Sequence, residues 1–431
     1  MRRNDLLPTK TFLKNVNRSN NLNLTTTLVS NEKHKFIFSG TYRSLKVEDT
    51  LLSNLKDDRS VLARAEYYVN EFKGFLNGSL LYEVGAGQEQ KRDYTYVEVP
   101  VGQGFYNWVD YNADGVPQLN EFEEAIYPDQ KKYIRIFTPS NQYVKANYLQ
   151  FNYNVELDPS LILNVNNNSP INKILKRSST NSSLQINTKK IASNDFLFNP
   201  FLKNIVDTSL ITLNYFFSNS YFYNRTSSKF GFEITHNKST TKSILSYGFE
   251  SRNLRNLFLK IRASINKNFV SALVLKQLKN ELATQAAKFD NRNFNVLQNI
   301  IEPSITYNYK SNLRASLGYS LALKQNRIDS MEKVTSNALL FDLKYNILFG
   351  SSIGAKFTFN DLLFSGPAAS KNSTVGYLLL DGLQPGKNYL WNIDFIKRLG
   401  AGAELSLQYD GRKPAVGNTF HSGRVTLRKI F

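Results

Sequence analysis

Residues 313–324 read Leu-Arg-Ala-Ser-Leu-Gly-Tyr-Ser-Leu-Ala-Leu-Lys, and this stretch decides the fold. Successive side chains of an extended strand point to opposite faces. Leu313, Ala315, Leu317, Tyr319, Leu321 and Leu323 therefore share one face, and Arg314, Ser316, Gly318, Ser320, Ala322 and Lys324 share the other. The next segment repeats the pattern, with Leu339, Phe341, Leu343, Tyr345, Ile347 and Phe349 opposing Asp342, Lys344 and Asn346. Further upstream, Leu245, Tyr247 and Phe249 oppose Ser246, Gly248 and Glu250, while Phe230, Phe232 and Ile234 oppose Gly231, Glu233 and Thr235.

Such segments recur from about Tyr143 to the end of the sequence, with the period of two expected of barrel strands. Those near 254–266, 312–326 and 335–349 are longer than the usual sandwich strand of about five or six residues, and long enough to cross a bilayer. Very short turns at Asn266-Lys267, Ser311-Asn312 and Gly350-Ser351 alternate with longer polar loops at 284–291 and 326–334, as in barrels with short periplasmic turns and long external loops. The stretch 228–266 reads as three strands, near 228–238, 241–252 and 254–266, and 365–386 reads as one external loop. The predicted fold is all-β, an antiparallel transmembrane β-barrel of about 14 to 18 strands. Its predicted parts are N-terminal β segments over 1–94, which supply further strands or a separate β region, an inserted loop region over 95–142, and barrel strands over 143–431.

Composition supports a wall of this kind. There are 24 Tyr and 30 Phe against 2 Trp in a chain that is polar on average, which suits aromatics on an outer wall around a polar lumen. No stretch approaches the ~18 consecutive apolar residues of a spanning helix, so any crossing is made by strands. Cysteine is absent, which removes disulfides, thiolate nucleophiles and cysteine-ligated metals. The net charge of +19 is dispersed rather than run together, which argues against nucleic acid and for anionic outer-membrane lipid and lipopolysaccharide. The first residues, MRRNDLLPTKTFLKN, lack the apolar region of a signal peptide and suit an internal Met of a longer gene.

The last segment sets Gly423, Val425, Leu427 and Phe431 on one face against Ser422, Arg424, Thr426 and Arg428. A terminal Phe in phase with the apolar face, with Leu427 and Val425 behind it, is the signal that barrel assembly machinery reads; Lys429 on the same face departs from the usual pattern. The run Gly382-Leu383-Gln384-Pro385-Gly386, Trp391, LSLQYDGRKP from Leu405, the ending HSGRVTLRKIF, and the block GQGFYNWVDYNADGVPQLNEFEEAIYPDQKKYIRIFTPSNQY resemble the C-terminal part of large Bacteroidota outer-membrane proteins. That resemblance implies a barrel, and a role among transporters, secretion translocons and surface proteins.

One chemical motif stands out. Asp110, Asn112 and Asp114 occupy positions 1, 3 and 5 of a twelve-residue calcium loop, followed by Gly115 at 6, the Val116 carbonyl at 7, Gln118 at 9 and Glu121 at 12. Pro117 replaces the usual apolar residue at position 8 and no helix pattern precedes Asp110, so calcium is expected as a structural staple rather than a signal; a metal-free acidic turn is the competing reading. Were the C-terminus periplasmic, counting strands back from it would place this loop on the periplasmic side. His34, His236 and His421 are far apart in the sequence and match no catalytic pattern, so no enzyme is expected. The expected function is transport or protein translocation across the bacterial outer membrane, with Lys260, Arg262, Asp342, Lys344, Lys356, Asp394 and Glu404 lining the lumen. The competing class is a secreted or surface-attached, calcium-stabilised β-rich adhesin, whose aromatic faces would pack between sheets.

Overall fold

A computed structural model describes the chain except residues 1, 9–11, 54, 56, 164–168, 193–196, 202–208, 246–247, 285–291, 329–331, 348–349, 400–401 and 430–431, and except the side chains of 2–3, 8, 88, 90–93, 139–143, 244–245 and 248–249. The protein is all-β. Its strands are β1 (Arg2–Pro8), β2 (Leu13–Ser30), β3 (His34–Val47), β4 (Asp58–Glu71), β5 (Leu76–Glu98), β6 (Tyr106–Trp108), β7 (Phe122–Glu124), β8 (Tyr133–Leu157), β9 (Ser178–Ile191) and β10 (Leu210–Tyr223). They continue as β11 (Phe230–Leu245), β12 (Gly248–Ser264), β13 (Phe269–Thr284), β14 (Phe294–Tyr309), β15 (Leu313–Asn326), β16 (Lys333–Ile347), β17 (Ser351–Ser365), β18 (Gly386–Leu399), β19 (Ala403–Lys413) and β20 (Phe420–Lys429). Two six-residue helices, α1 (Pro170–Leu175) and α2 (Thr374–Leu379), sit in connections. Among the described residues no helix is long and apolar enough to cross a membrane.

Among the described residues all 20 strands belong to one sheet, in which β6 and β7 are three-residue strands and the others form a large antiparallel array. Closure of the sheet on itself is not detected among the described residues. The segments read as N-terminal β over 1–94 are strands of this same sheet, and the insert is narrower than 95–142, because β5 runs to Glu98 and β8 starts at Tyr133. By contact density the chain divides into two compact units, one of residues 1–93, 138–221 and 237–252, the other of 94–137, 222–236 and 253–431.

In the first unit β2 and β3 are joined by a three-residue connection, 31–33, in which Asn31 and Glu32 take positive φ and the Lys33 amide donates to the Ser30 carbonyl at 3.2 Å. The ladder β3–β4–β5 aligns Phe36 with Tyr67 and Tyr67 with Leu80, so one apolar face continues across three strands. Glu89 and Lys189 pair at 2.8 Å.

The second unit shows the alternation read from 313–324. Leu317 pairs with Phe341, Phe341 with Phe357 and Phe357 with Trp391, and Ile393, Tyr409, Leu407 and Val425 continue the apolar face. Leu317 is 55 % exposed, and Tyr319, Phe341 and Tyr345 are exposed with it; Leu343 is half-buried. Leu245, Tyr247 and Phe249 lie outside the described side chains. A soluble monomer rarely leaves a contiguous apolar patch beyond a few hundred Å² in water.

The strand count over 228–266 is corrected. Two strands, β11 and β12, occupy the stretch where three were expected, because Asn237–Thr241 continues an extended strand without a turn. One strand fewer inverts the parity, so the count that placed the calcium-like loop at the same end as the last residue of β20 does not hold.

Candidate functional site

Within the second unit the polar face is covered at one end. The stretch read as one loop over 365–386 is a single connection between β17 and β18, and it folds against the polar face around α2. Ser373 caps the helix by accepting the Gly376 amide at 3.1 Å. Gly376 itself is confined to glycine, since a Cβ there would stand 2.2 Å from the Ser370 carbonyl oxygen. The helix ends where Asp381 and Gly382 take positive φ, at 52° and 68°. Val375, Leu379, Leu380 and Leu383 pack into one cluster with Leu282, Phe294, Val296, Val334 and Leu362, residues in phase with the polar face but apolar at this end of their strands.

Buried polar groups tie this connection to the strands beside it. Lys324, 4 % exposed, pairs with Asp381. Asn388, fully buried, donates to the Gln384 and Gly386 carbonyls at 2.8 Å each and accepts the Ala415 amide at 3.1 Å. Asn326 donates to Glu332 at 2.9 Å, closing the β15–β16 connection.

The insert 99–132 enters the same end. The Tyr377 hydroxyl donates to Gln130 Oε1 at 3.0 Å and the Glu124 carbonyl at 3.3 Å, and burial pushes that phenol up to about 12. Burial likewise raises Tyr111 and Tyr127 well above the usual phenol range. Arg412 pairs with Asp129, donates to the Gly382 carbonyl at 3.4 Å, and lies 4.8 Å from the ring centres of both Tyr127 and Phe420. One guanidinium thus clamps the insert, the connection 366–385 and the strand β20 together. Beneath it lies a cavity of about 230 Å³, lined in part by Lys356, Thr358, Asn392, Asp410 and Ser422. Asn392 donates to Asp410 at 2.9 Å, and Lys356 stands 3.9 Å from Asp342.

The expected lumen residues divide. Lys356, Asp342, Asp394, Lys344 and Glu404 share the polar face, Glu404 standing 4.0 Å from Arg398. Arg262 instead donates to the Arg225 and Ser227 carbonyls at 2.8 Å each and fastens the turn between β10 and β11.

The calcium-like loop curls as its first six positions require. Both Asp110 carboxylate oxygens accept backbone amides, from Asp114 at 3.2 Å and Gly115 at 2.9 Å; Asn112 accepts the Asp114 amide at 3.0 Å; Gly115 turns with φ 71°. Asp114 accepts the Val116 amide at 2.7 Å, which with its bonds to Asn112 and Gln118 holds the carboxyl below its usual value. The closing position does not fit a cage: Glu121 is 1 % exposed, and its Oε2 accepts Trp108 Nε1 at 2.9 Å and the Gln118 amide at 3.2 Å. Among the described residues no three His, Cys, Asp or Glu side chains gather as a metal site.

Of the assembly-signal residues, Val425 and Leu427 are exposed on the apolar face opposite Leu407 and Leu405, and Phe431 lies outside the described residues. His34 is engaged by Tyr67 at 2.6 Å and Glu71 at 2.9 Å, and His421 by Tyr409 at 2.8 Å. Sequence reading missed Lys324, Asp381, Asp129 and Arg412. The available signal was Ser373 followed by an apolar run and Asp381-Gly382, a capped start and a left-handed stop. No protein-family model matches the chain, and comparison with curated proteins finds no significant match.

Proposed function

We propose that this chain is a strand-built wall of a bacterial outer-membrane β-barrel that serves transport or protein translocation, with its polar face turned to the lumen and the plug narrowing one mouth. The observation that carries the reading is the apolar face that stays exposed and in register from β14 to β20. In water those side chains would each forgo about 1.5–3 kcal/mol of burial, whereas lipid tails receive them. The adhesin alternative needs a second sheet over that face, and all 20 strands of the described residues belong to a single sheet.

On this reading the end with short connections, where β20 finishes, is periplasmic, and the plug and insert stand at the outer mouth among the longer connections. Outer-membrane lipid and lipopolysaccharide are the partners of the apolar face, and barrel assembly machinery the partner of β20. The test is extraction: the chain should leave membranes only with detergent and migrate differently on gels when unheated. A protein that is soluble and monomeric without detergent refutes the membrane assignment. Transport is tested separately by bilayer conductance, which should rise when residues 374–379 are deleted.

A further inference from the structure

The apolar face of the first unit carries a short segment of its own chain. Tyr67, Leu80, Tyr153 and Val155 line one pocket there, so the outer faces of β4, β5 and β8 are one surface. Phe151 and Tyr153 are in phase with it, and pair with Ile186 and Leu184 of β9. Leu149 and Leu184 are buried and Ile186 is 3 % exposed, although the equivalent face of β15–β17 is open. Resting on this surface is Leu197–Phe201, in the connection between β9 and β10. The Tyr82 hydroxyl donates to the Phe198 carbonyl, the Phe201 ring meets the Phe151 ring edge-on at 5.5 Å, and Asn199 Oδ1 accepts the Phe201 amide at 2.9 Å. Leu197 is buried, yet Phe198 is 68 % exposed and Phe201 61 %.

A clamped turn that buries its leucine and holds two phenylalanines outward is not an ordinary polar connection. We propose that Leu197–Phe201 is a lipid-contacting toe: a strand-end segment folded onto the outer apolar face, whose Phe198 and Phe201 rings enter the acyl boundary of the membrane. The inference rests on the membrane reading above. The partner is a lipid surface, because the toe lies on the face where Phe36, Val61, Tyr67 and Leu80 are also exposed, and an outward-facing apolar band of this kind is what a barrel presents to lipid. Its two anchor points, the Tyr82 bond and the Phe151 ring, hold the rings in place before lipid arrives.

The chain has no cysteine, so single nitroxide labels can be placed cleanly. The full chain is reconstituted in phosphatidylcholine vesicles with one label, at Phe198→Cys, Phe201→Cys, Leu317→Cys as an outer-wall reference or Leu51→Cys as a water reference, Leu51 being 94 % exposed in the β3–β4 connection. Labels at 198 and 201 should relax more with oxygen than with an aqueous nickel chelate, as at 317, and label 51 should do the reverse. If 198 and 201 behave like 51 while 317 stays in lipid, the toe is overturned and the membrane reading stands. If 317 itself behaves like 51, the membrane reading falls and takes the toe with it.

Discussion

The connection 366–385 and the insert 99–132 enter the polar face at the same end, but the first is seated chiefly by apolar packing, with the Lys324–Asp381 pair and Asn388 beside it, and the second by charge, ring contacts and its own side-chain bonds. Around α2, four apolar side chains of the connection meet five from the wall. Around the insert, the fastenings are Asp129 to Arg412, Gln130 to Tyr377, and a ladder of side-chain bonds that closes 110–121 on itself. The difference teaches that one polar face can seat two segments side by side by different interactions. Packing gives the first a well-defined seat, while the second leans on the Asp129–Arg412 pair and on ring contacts.

The largest expected effect comes from breaking the packed side. Leu379 is fully buried in the cluster, so Leu379→Ala removes contacts that neighbours cannot refill and should cost about 2–5 kcal/mol. The measurement is proteolysis within 366–385, which should quicken while heat-dependent gel migration is unchanged. A loss below about 1 kcal/mol would show that α2 is not seated by packing.

Smaller, and sharper for the comparison, is the pair Lys324 and Asp381. Asp381→Asn leaves a buried ammonium without its counter-charge and should cost about 1–3 kcal/mol, the half-exposed carboxylate limiting the loss. Lys324→Met removes the buried charge itself and should be close to neutral. Equal losses in hydrogen-exchange protection of 374–383 would overturn that asymmetry. On the insert side, Arg412→Lys keeps a cation but loses the planar fork between Tyr127 and Phe420, and should loosen 127–130 by about 0.5–2 kcal/mol without loosening α2.

What was legible in the sequence follows from these same differences. Period-two alternation over 313–324 and 339–349 needs only local geometry, and the strands keep it because residues of the apolar and polar faces cannot trade places without flipping a whole strand. Asn237–Thr241 reads as a turn because a run of polar residues inside a strand has the composition of one when only the sequence is seen. The plug was hidden for a different reason. Val334 and Leu362 sit on the polar face, so their apolar character breaks the alternation for a reason that only the packing of α2 over them supplies. The Arg412 clamp joins residues separated by 283 positions, which no local pattern encodes.

The smallest expected effect belongs to the loop 110–121. Ionised Asp114 accepts the Val116 amide at 2.7 Å and side-chain amides of Asn112 at 2.8 Å and Gln118 at 2.7 Å, which lowers its carboxyl below the ordinary 3.8. A depressed carboxyl stabilises the fold above its unfolded value and loses that contribution as pH falls through its folded value. Protection of the Val116 amide should therefore stay flat from neutral pH down to about 4 and fall only below it, and Asp110→Ala with Asp114→Ala should abolish it at every pH. The same amide weighs calcium against self-closure. With Glu121 held by Trp108 and Gln118, the wild-type loop should keep its protection in a chelator, and Trp108 emission should not change when calcium is added. Loss of protection on chelation, together with a calcium-dependent change in Trp108 emission that the double variant lacks, would mean that Glu121 leaves Trp108 to complete the cage, and would make the insert, unlike the plug, a metal-fastened part of this end of the sheet.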